Sequence, residues 1–118
     1  MTKSPRKVSD ATKKVVVASQ DFKCNNKPGK NLYRLNNFLC PRWKYDNGNF
    51  SEVGNQGDYI IKLDYIIERS IGGSDDIENL QVLCPDCYSV KTNNFMKLSK
   101  DEKKKLKEGN KIKALEEE

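Results

Sequence analysis

Four cysteines carry the clearest chemical signal in this chain of 118 residues. Cys84 and Cys87 are separated by two residues, and Pro85 between them is typical of the first position of a helix. At a helix N-terminus both thiolates can point at one metal ion, and the helix helps to keep them deprotonated. The spacing therefore predicts half of a metal site.

Cys24 and Cys40 are the candidates for the other half. They lie sixteen positions apart, which is unusual for a zinc knuckle, so the loop between them must fold back, and Pro28-Gly29 allows a turn there. Four thiolates, from Cys24, Cys40, Cys84 and Cys87, would hold a structural zinc, because such a site leaves no position for water. A disulfide and buried free thiols stay open as alternatives.

The charge of the chain, +5 overall, is unevenly distributed. Residues 1–50 hold eleven Lys and Arg against three acids, residues 51–90 hold two against eight, and residues 91–118 hold nine against six. An acidic centre with basic flanks suits a metal site surrounded by phosphates, although solvated lysines alone would also give this pattern. Because the chain has no apolar run long enough to cross a bilayer and no signal-peptide core, we expect an intracellular or virion protein that is not secreted and has no membrane partner.

The elements that must position these residues begin with a basic arm at 1–9. Asp10 is expected to cap a helix that runs to about Phe22, and 23–37 reads as a loop. The apolar side of that helix is predicted to carry Val15, Val16, Ala18 and Phe22. Residues 38–50 are predicted to form a hairpin that turns at "DNG" and exposes Trp43, Tyr45 and Phe50.

The second half alternates in a way that favours a strand over 59–67, followed by a turn at "GGSDD". Residues 77–83 are interpreted as an irregular connection, and a helix is predicted from near Pro85. Ser99 and Glu102 have the spacing of a capping box, which predicts a last, lysine-rich helix through about Lys107 that Gly109 closes.

The segment from Tyr59 to Phe95 resembles the HNH endonuclease family, the ββα-metal nucleases, in "LDYIIERSIGGSDDIENLQVLCPDCYSVKT". The flanking "FKCNNKPGKNLYRLNNFLCPRW" and "VKTNNF" resemble the version found in large DNA viruses, so the likeness covers about 20–96. It implies an α+β fold built on a small zinc-bound ββα-metal domain. With the helices predicted above, this gives a domain at 10–98 that has an N-terminal helix, followed by a C-terminal helix and tail at 99–118.

The resemblance also implies a role for each motif position. Asp64 matches the acid that binds the catalytic metal, and Asn79 matches the asparagine that orients the base or supports the site. Tyr65 stands where the family has its general-base histidine, and Tyr88 where it has a second metal ligand; the chain contains no histidine. Lys91 matches a lysine found near the phosphate.

With tyrosine at positions 65 and 88, the motif lacks both the general base and the second metal ligand that hydrolysis requires. A phenol of pKa about 10 does not take a proton at neutral pH as an imidazole does, and a lost general base costs about 10²–10⁴-fold in rate. We therefore expect an inactive site in which a catalytic divalent metal is doubtful. Asp64 and Asn79 then serve the structure, and Tyr65 and Tyr88 serve packing; Glu68 is a substitute base without evident support.

Three functions follow. The first is a non-catalytic module that binds DNA or a protein partner, and the second is a structural component of a virion or larger assembly that makes contact through Trp43, Tyr45 and Phe50. The third is a nicking endonuclease of atypical mechanism. In the DNA-binding case, basic residues of the arm and the domain contact phosphates: Lys3, Arg6, Lys7, Lys13, Lys14, Lys27, Lys30, Arg34, Arg42 and Lys91.

Overall fold

The computed structural model describes residues 8–36, 38–53 and 58–116. The first seven residues of the predicted arm, with Lys3, Arg6 and Lys7, lie outside this part of the chain. The fold is small and α+β, as predicted. Its elements in chain order are α1 (Asp10–Ser19), α2 (Pro41–Asp46), β1 (Glu52–Val53), β2 (Asp58–Tyr59), β3 (Lys62–Tyr65), β4 (Leu80–Leu83), α3 (Pro85–Met96) and α4 (Lys100–Glu116).

A β-hairpin followed by a helix forms the centre of the fold. β3 and β4 pair antiparallel with Leu63 opposite Val82 and Asp64 opposite Gln81, and α3 packs against both strands. α3 begins at Pro85, which confirms the predicted helix start. The interpretation of 77–83 as irregular is wrong, because Leu80–Leu83 is a strand. All four of its residues are buried, so the strand lacks the polar alternation that reveals half-exposed strands in a sequence.

The predicted strand over 59–67 is shorter and divided between β2 and β3. Ile60 leaves the β3 line because its backbone N–H donates to Ser51 O at 2.8 Å, on the side of β1. After Tyr65 the chain bends into two short 3₁₀ turns, Arg69–Ile71 and Ile77–Asn79. β3 therefore ends at the motif positions 64 and 65, which places them at the edge of the hairpin.

Helix α1 presents a different face to the core from the one predicted. Ser9, not Asp10, is the N-cap, and its hydroxyl accepts from Thr12 N. Val16 and Val17 are buried against β4, whereas Val15 is 54% exposed and Phe22 is 65% exposed. The helix ends at Ser19, and the positive φ angles at Asp21 and Phe22 turn the chain away, so Phe22 leaves the helical face.

Residues 41–46 form helix α2, so the predicted hairpin at 38–50 is wrong. Pro41 is well suited to the first turn of a helix, and Cys40 is the N-cap. The "DNG" sequence ends this helix instead of joining two strands, since Asn47 (φ 53°) and Gly48 (φ 82°) adopt left-handed conformations. Phe50 is consequently buried, while Tyr45 is exposed.

Helix α4 starts as predicted and ends later. Ser99 N donates to Glu102 Oε1 at 3.0 Å and Glu102 N donates to Ser99 Oγ at 3.1 Å, which confirms the capping box. The helix continues through Gly109 to Glu116, and Asn110 Nδ2 donates to Ile71 O at 2.8 Å, which connects this part of the helix to the domain. None of the helices in the described ranges is both long and apolar enough to cross a membrane.

Candidate metal centre and Asp64 pocket

The four cysteines meet in one buried cluster, as the sequence predicted. Their Sγ atoms lie within 4.8 Å of one another, and Cys40 Sγ is 3.7 Å from Cys84 Sγ. A tetrahedral zinc with Zn–S bonds of about 2.3 Å would separate its sulfur ligands by about 3.8 Å. All four are free cysteines, and 3.7 Å is too long for a disulfide, so the structure contradicts the disulfide alternative. The cluster can hold a metal ion.

Three parts of the chain place the sulfur atoms. Cys24 follows α1, where its backbone N–H donates to Gly48 O at 3.0 Å. Cys40 is the N-cap of α2, and Cys84 and Cys87 flank the first residues of α3. The loop between Cys24 and Cys40 does fold back, as expected, with Gly29 at a positive φ of 82°.

Two donors of the protein reach sulfur atoms of this cluster. Cys84 N donates to Cys24 Sγ at 3.3 Å, and Asn26 Nδ2 donates to Cys87 Sγ at 3.5 Å. Contact with the Cys24 thiol holds the pKa of Cys40 and of Cys84 below the ordinary value. Contact with Cys40 and Cys84, together with burial, raises the pKa of Cys24, and contact with the other three thiols, together with burial, raises that of Cys87. A dication bound by the four sulfur atoms would displace the protons that they carry, because the ligands of such an ion are thiolates.

A second site lies at the end of β3, in a cavity of about 240 Å³ that we call the Asp64 pocket. Asp64, Tyr65, Tyr88 and Lys91 line it together with Glu68, so most of the motif positions do come together. Asn79 is not among the lining residues. The remaining lining residues are Leu63, Arg69, Thr92 and Phe95.

Lys91 lies inside this pocket and is 1% exposed. Its Nζ is 2.9 Å from Tyr65 O, 3.1 Å from Asp64 Oδ2 and 3.2 Å from Glu68 Oε2. The ammonium donates to Tyr65 O and to Glu68 Oε2, and it forms an ion pair with Asp64 Oδ2. Lys91, which the sequence predicts to contact nucleic-acid phosphates, is instead buried and paired with two carboxylates of the protein.

Asp64 and Glu68 are both engaged with protein donors. Asp64 Oδ2 also accepts from Gln81 Nε2 at 2.8 Å, and Glu68 Oε2 accepts from Arg34 Nε at 2.8 Å. Burial raises the pKa of Asp64, and the hydrogen bond from Gln81 and the Lys91 charge offset only part of that rise. Glu68 is therefore a paired carboxylate and not a well-placed substitute base.

Asn79 braces the loop after β3. Its Oδ1 accepts from Ile67 N at 2.8 Å, and its Nδ2 donates to Ile67 O at 3.0 Å and to Ser74 O at 2.8 Å. All the strong hydrogen-bonding groups of the amide are thus used within the loop. This geometry agrees with the structural interpretation of Asn79.

The two tyrosines are partly buried at the pocket. The Tyr65 hydroxyl donates to Asp75 Oδ1 at 3.3 Å, and the Arg69 guanidinium lies 5.8 Å from the centroid of the Tyr65 ring. Tyr88 packs against the core from α3. Both rings pack against the core, and the Tyr65 hydroxyl is hydrogen-bonded to a carboxylate.

The predicted phosphate-contacting residues fall into two groups. Lys14, Lys27 and Lys30 are exposed, and Lys13 is partly exposed. Arg34 and Arg42 instead form ion pairs, since Arg34 contacts Glu68 and Arg42 Nη2 lies 2.7 Å from Asp46 Oδ2. Arg34 thus ties the Cys24–Cys40 loop to Glu68, and Arg42 ties α2 to the residues that follow it, because its Nε also donates to Asn49 O.

Sequence reasoning missed two polar residues that support the sites. Asn26 is 4% exposed and bonds a cysteine sulfur, and Gln81 is 1% exposed and bonds Asp64. An asparagine two positions after a candidate ligand is a weak signal for the first. A glutamine inside the apolar run "LQVL" is a better signal for the second, because a buried amide needs a partner.

Comparison with known proteins agrees with the resemblance over the hairpin and α3. The family model described as HNH endonuclease matches residues 49–94. This segment runs from just before β1 almost to the end of α3, and it contains Asp64, Asn79 and the Cys84-Cys87 pair. No curated protein and no solved structure matches the chain.

Proposed function

We propose that this protein is an HNH-like module, held together by structural zinc, that binds nucleic acid and does not hydrolyse it. The observation that supports the loss of activity most directly is the buried Lys91 ammonium between Asp64 and Glu68. In the resemblance Asp64 is the acid that binds the catalytic metal. Here its charge is already matched by a cation of the protein itself.

The residues of the Asp64 pocket do not fit a catalytic divalent ion. Magnesium requires nearly octahedral oxygen coordination at about 2.0–2.1 Å. An ion bound to Asp64 or Glu68 would approach a lysine that lies within 3.2 Å of both carboxylates, and the repulsion would be strong in this buried setting. Tyr65 and Tyr88 add no imidazole to compensate, so neither a metal nor a base is available for hydrolysis.

The cysteine cluster, in contrast, fits zinc well. Four sulfur ligands in a tetrahedral arrangement are typical of zinc or iron–sulfur sites, and the spacing of Cys40 and Cys84 matches a single tetrahedral ion. The buried cluster joins α2, α3 and the segment after α1. We propose that zinc connects these parts and that the site takes no part in chemistry.

Nucleic-acid binding is supported by the family match and by the surface charge. The net charge is +5, and Lys13, Lys14, Lys27 and Lys30 lie at the surface. Affinity carried by such lysines falls steeply with salt because counterions are released from the phosphates. An assembly contact through Trp43, Tyr45 and Phe50 has less support, since Phe50 is buried and residues 41–46 form a helix instead of an exposed hairpin.

A plasmid assay tests the proposal. The zinc-loaded protein is incubated with supercoiled plasmid and magnesium, manganese, nickel or zinc, beside a Tyr65→His/Tyr88→His variant and the same variant with Lys91→Met. We expect the parent to bind the plasmid more weakly at high salt than at low salt and not to nick it. We expect nicking only by the variant in which Lys91→Met is combined with Tyr65→His/Tyr88→His. Nicking by the parent that disappears in Asp64→Ala would refute the proposal.

A further inference from the structure

We propose that a second cavity, which we call the Trp43 pocket, binds single-stranded nucleic acid by accepting an unstacked base against Trp43. The inference deepens the proposed nucleic-acid-binding function and rests on it. The cavity has a volume of about 580 Å³ and is lined by the Cys24–Cys40 loop and by α2. It shares no lining residue with the Asp64 pocket, so it is independent of the motif positions.

The charge of the Trp43 pocket favours a phosphate chain. Lys27, Lys30 and Lys44 line it, all three are exposed, and no acidic residue is among the described residues of its wall. Lys30 Nζ is held at 2.9 Å from Asn25 Oδ1, which keeps its ammonium at the surface of the loop. Three cations around one cavity form a site that a polyanion complements.

The wall of the pocket offers a fixed aromatic surface. The Trp43 indole N–H donates to Cys24 O at 2.7 Å, which ties the ring to the cysteine cluster. Gly48 packs so closely against the ring that an added Cβ would lie 2.3 Å from Trp43 Cε2. Since the ring is already ordered, stacking a base on it costs little further loss of side-chain freedom.

Apolar and cationic groups surround this ring. Leu39 is 74% exposed, Phe38 is partly buried, and both line the pocket. Lys27 Nζ lies 5.6 Å from the centroid of the Trp43 ring. Aromatic surfaces beside lysines are the general means by which proteins bind single strands without reading their sequence, because every base has a flat face.

The size of the Trp43 pocket favours a single strand over other polyanions. A cavity of this volume is within the range of small-ligand sites, so it can accept one base, whereas a duplex keeps its bases stacked and presents only its backbone. An acidic peptide would pair with the lysines but would leave the exposed apolar wall without a planar partner.

The fluorescence of Trp43 tests the inference, because it is the single tryptophan of the chain. The full-length, zinc-loaded protein is titrated with single-stranded oligothymidylate, a duplex of equal length, inorganic polyphosphate and polyglutamate. We expect quenching and binding with oligothymidylate, and little quenching with the polymers that have no bases. The Lys27→Gln/Lys30→Gln/Lys44→Gln variant should bind the single strand about tenfold or more weakly, with a salt slope reduced by about 2.

A second variant, Lys100→Gln/Lys104→Gln/Lys105→Gln, makes the same charge change on α4 and should retain the quenching and most of the affinity. Equal weakening by both variants would mean that net charge alone determines binding, and the inference would be overturned. Salt-dependent binding of the duplex without quenching by the single strand would overturn the Trp43 pocket and leave the proposed function standing. Binding of neither nucleic acid would overturn both.

Discussion

Replacing Lys91 by methionine removes the ammonium that contacts both Asp64 and Glu68, at 3.1 Å and 3.2 Å, and keeps a side chain of similar length. Breaking a buried ion pair from one side costs about 3–5 kcal/mol, because a charge is left without compensation. Arg34 still pairs with Glu68 and Gln81 still donates to Asp64, so we expect a loss near the lower end, about 3 kcal/mol at neutral pH.

The sign of the pH dependence follows from Asp64. Burial already raises the pKa of Asp64 in the folded protein, and loss of Lys91 removes two contributions that lower it. A carboxyl whose folded pKa lies above its unfolded pKa destabilises the fold as pH rises through the folded value. The deficit of Lys91→Met should therefore be large at pH about 7.5, and it should shrink as pH falls toward the unfolded value of about 4.

Urea denaturation at several pH values, with zinc present throughout, measures both effects. Lys104→Met is the matched control, since Lys104 is exposed on α4 and its replacement should change the free energy of unfolding by less than about 0.5 kcal/mol. Manganese should stabilise Lys91→Met and not the parent, because a dication can then occupy the place of the ammonium. If Lys91→Met is as stable as the control at neutral pH, or if manganese stabilises both proteins equally, the argument that Lys91 neutralises this site is refuted.

Three further predictions concern other parts of the fold. Cys84→Ser should abolish stoichiometric zinc in elemental analysis and lower the melting temperature strongly, and a chelator should do the same to the parent; an unchanged melting temperature would contradict a structural zinc. Asn79→Ala should lower the free energy of unfolding by about 2 kcal/mol or more, because three hydrogen bonds of the loop are lost. Amide hydrogen exchange at Ile67 should become faster, and an unchanged exchange rate would show that the loop does not depend on this amide. Ser99→Ala should cost about 1 kcal/mol through loss of the cap on Glu102 N, seen as fraying of α4 by amide exchange; Ser99→Asp keeps the cap and should retain the stability.

The features that could be predicted from sequence are those encoded by neighbouring residues. Pro85 after Cys84 sets the start of α3, and Ser99 with Glu102 sets the start of α4, because each pattern satisfies backbone donors within one turn. The convergence of the four cysteines was also predictable, since thiols at helix-start spacing in a small domain have few other uses. The hairpin at 38–50 failed because Asn47 and Gly48 suit a helix end as well as a strand turn, and local sequence does not decide between them.

By itself, the sequence determined the α+β fold class, the starts of α3 and α4, the meeting of the cysteines and the likeness of 59–95 to HNH endonucleases. Tertiary structure alone decided which charges meet. Lys91 is one turn of α3 beyond Cys87, and it contacts Asp64 only because α3 packs across β3. A lysine that the sequence predicts to contact phosphate is therefore the internal counterion of the motif aspartate. Electrostatic interactions act over a few ångströms of space, and residues 64 and 91 are adjacent only after folding.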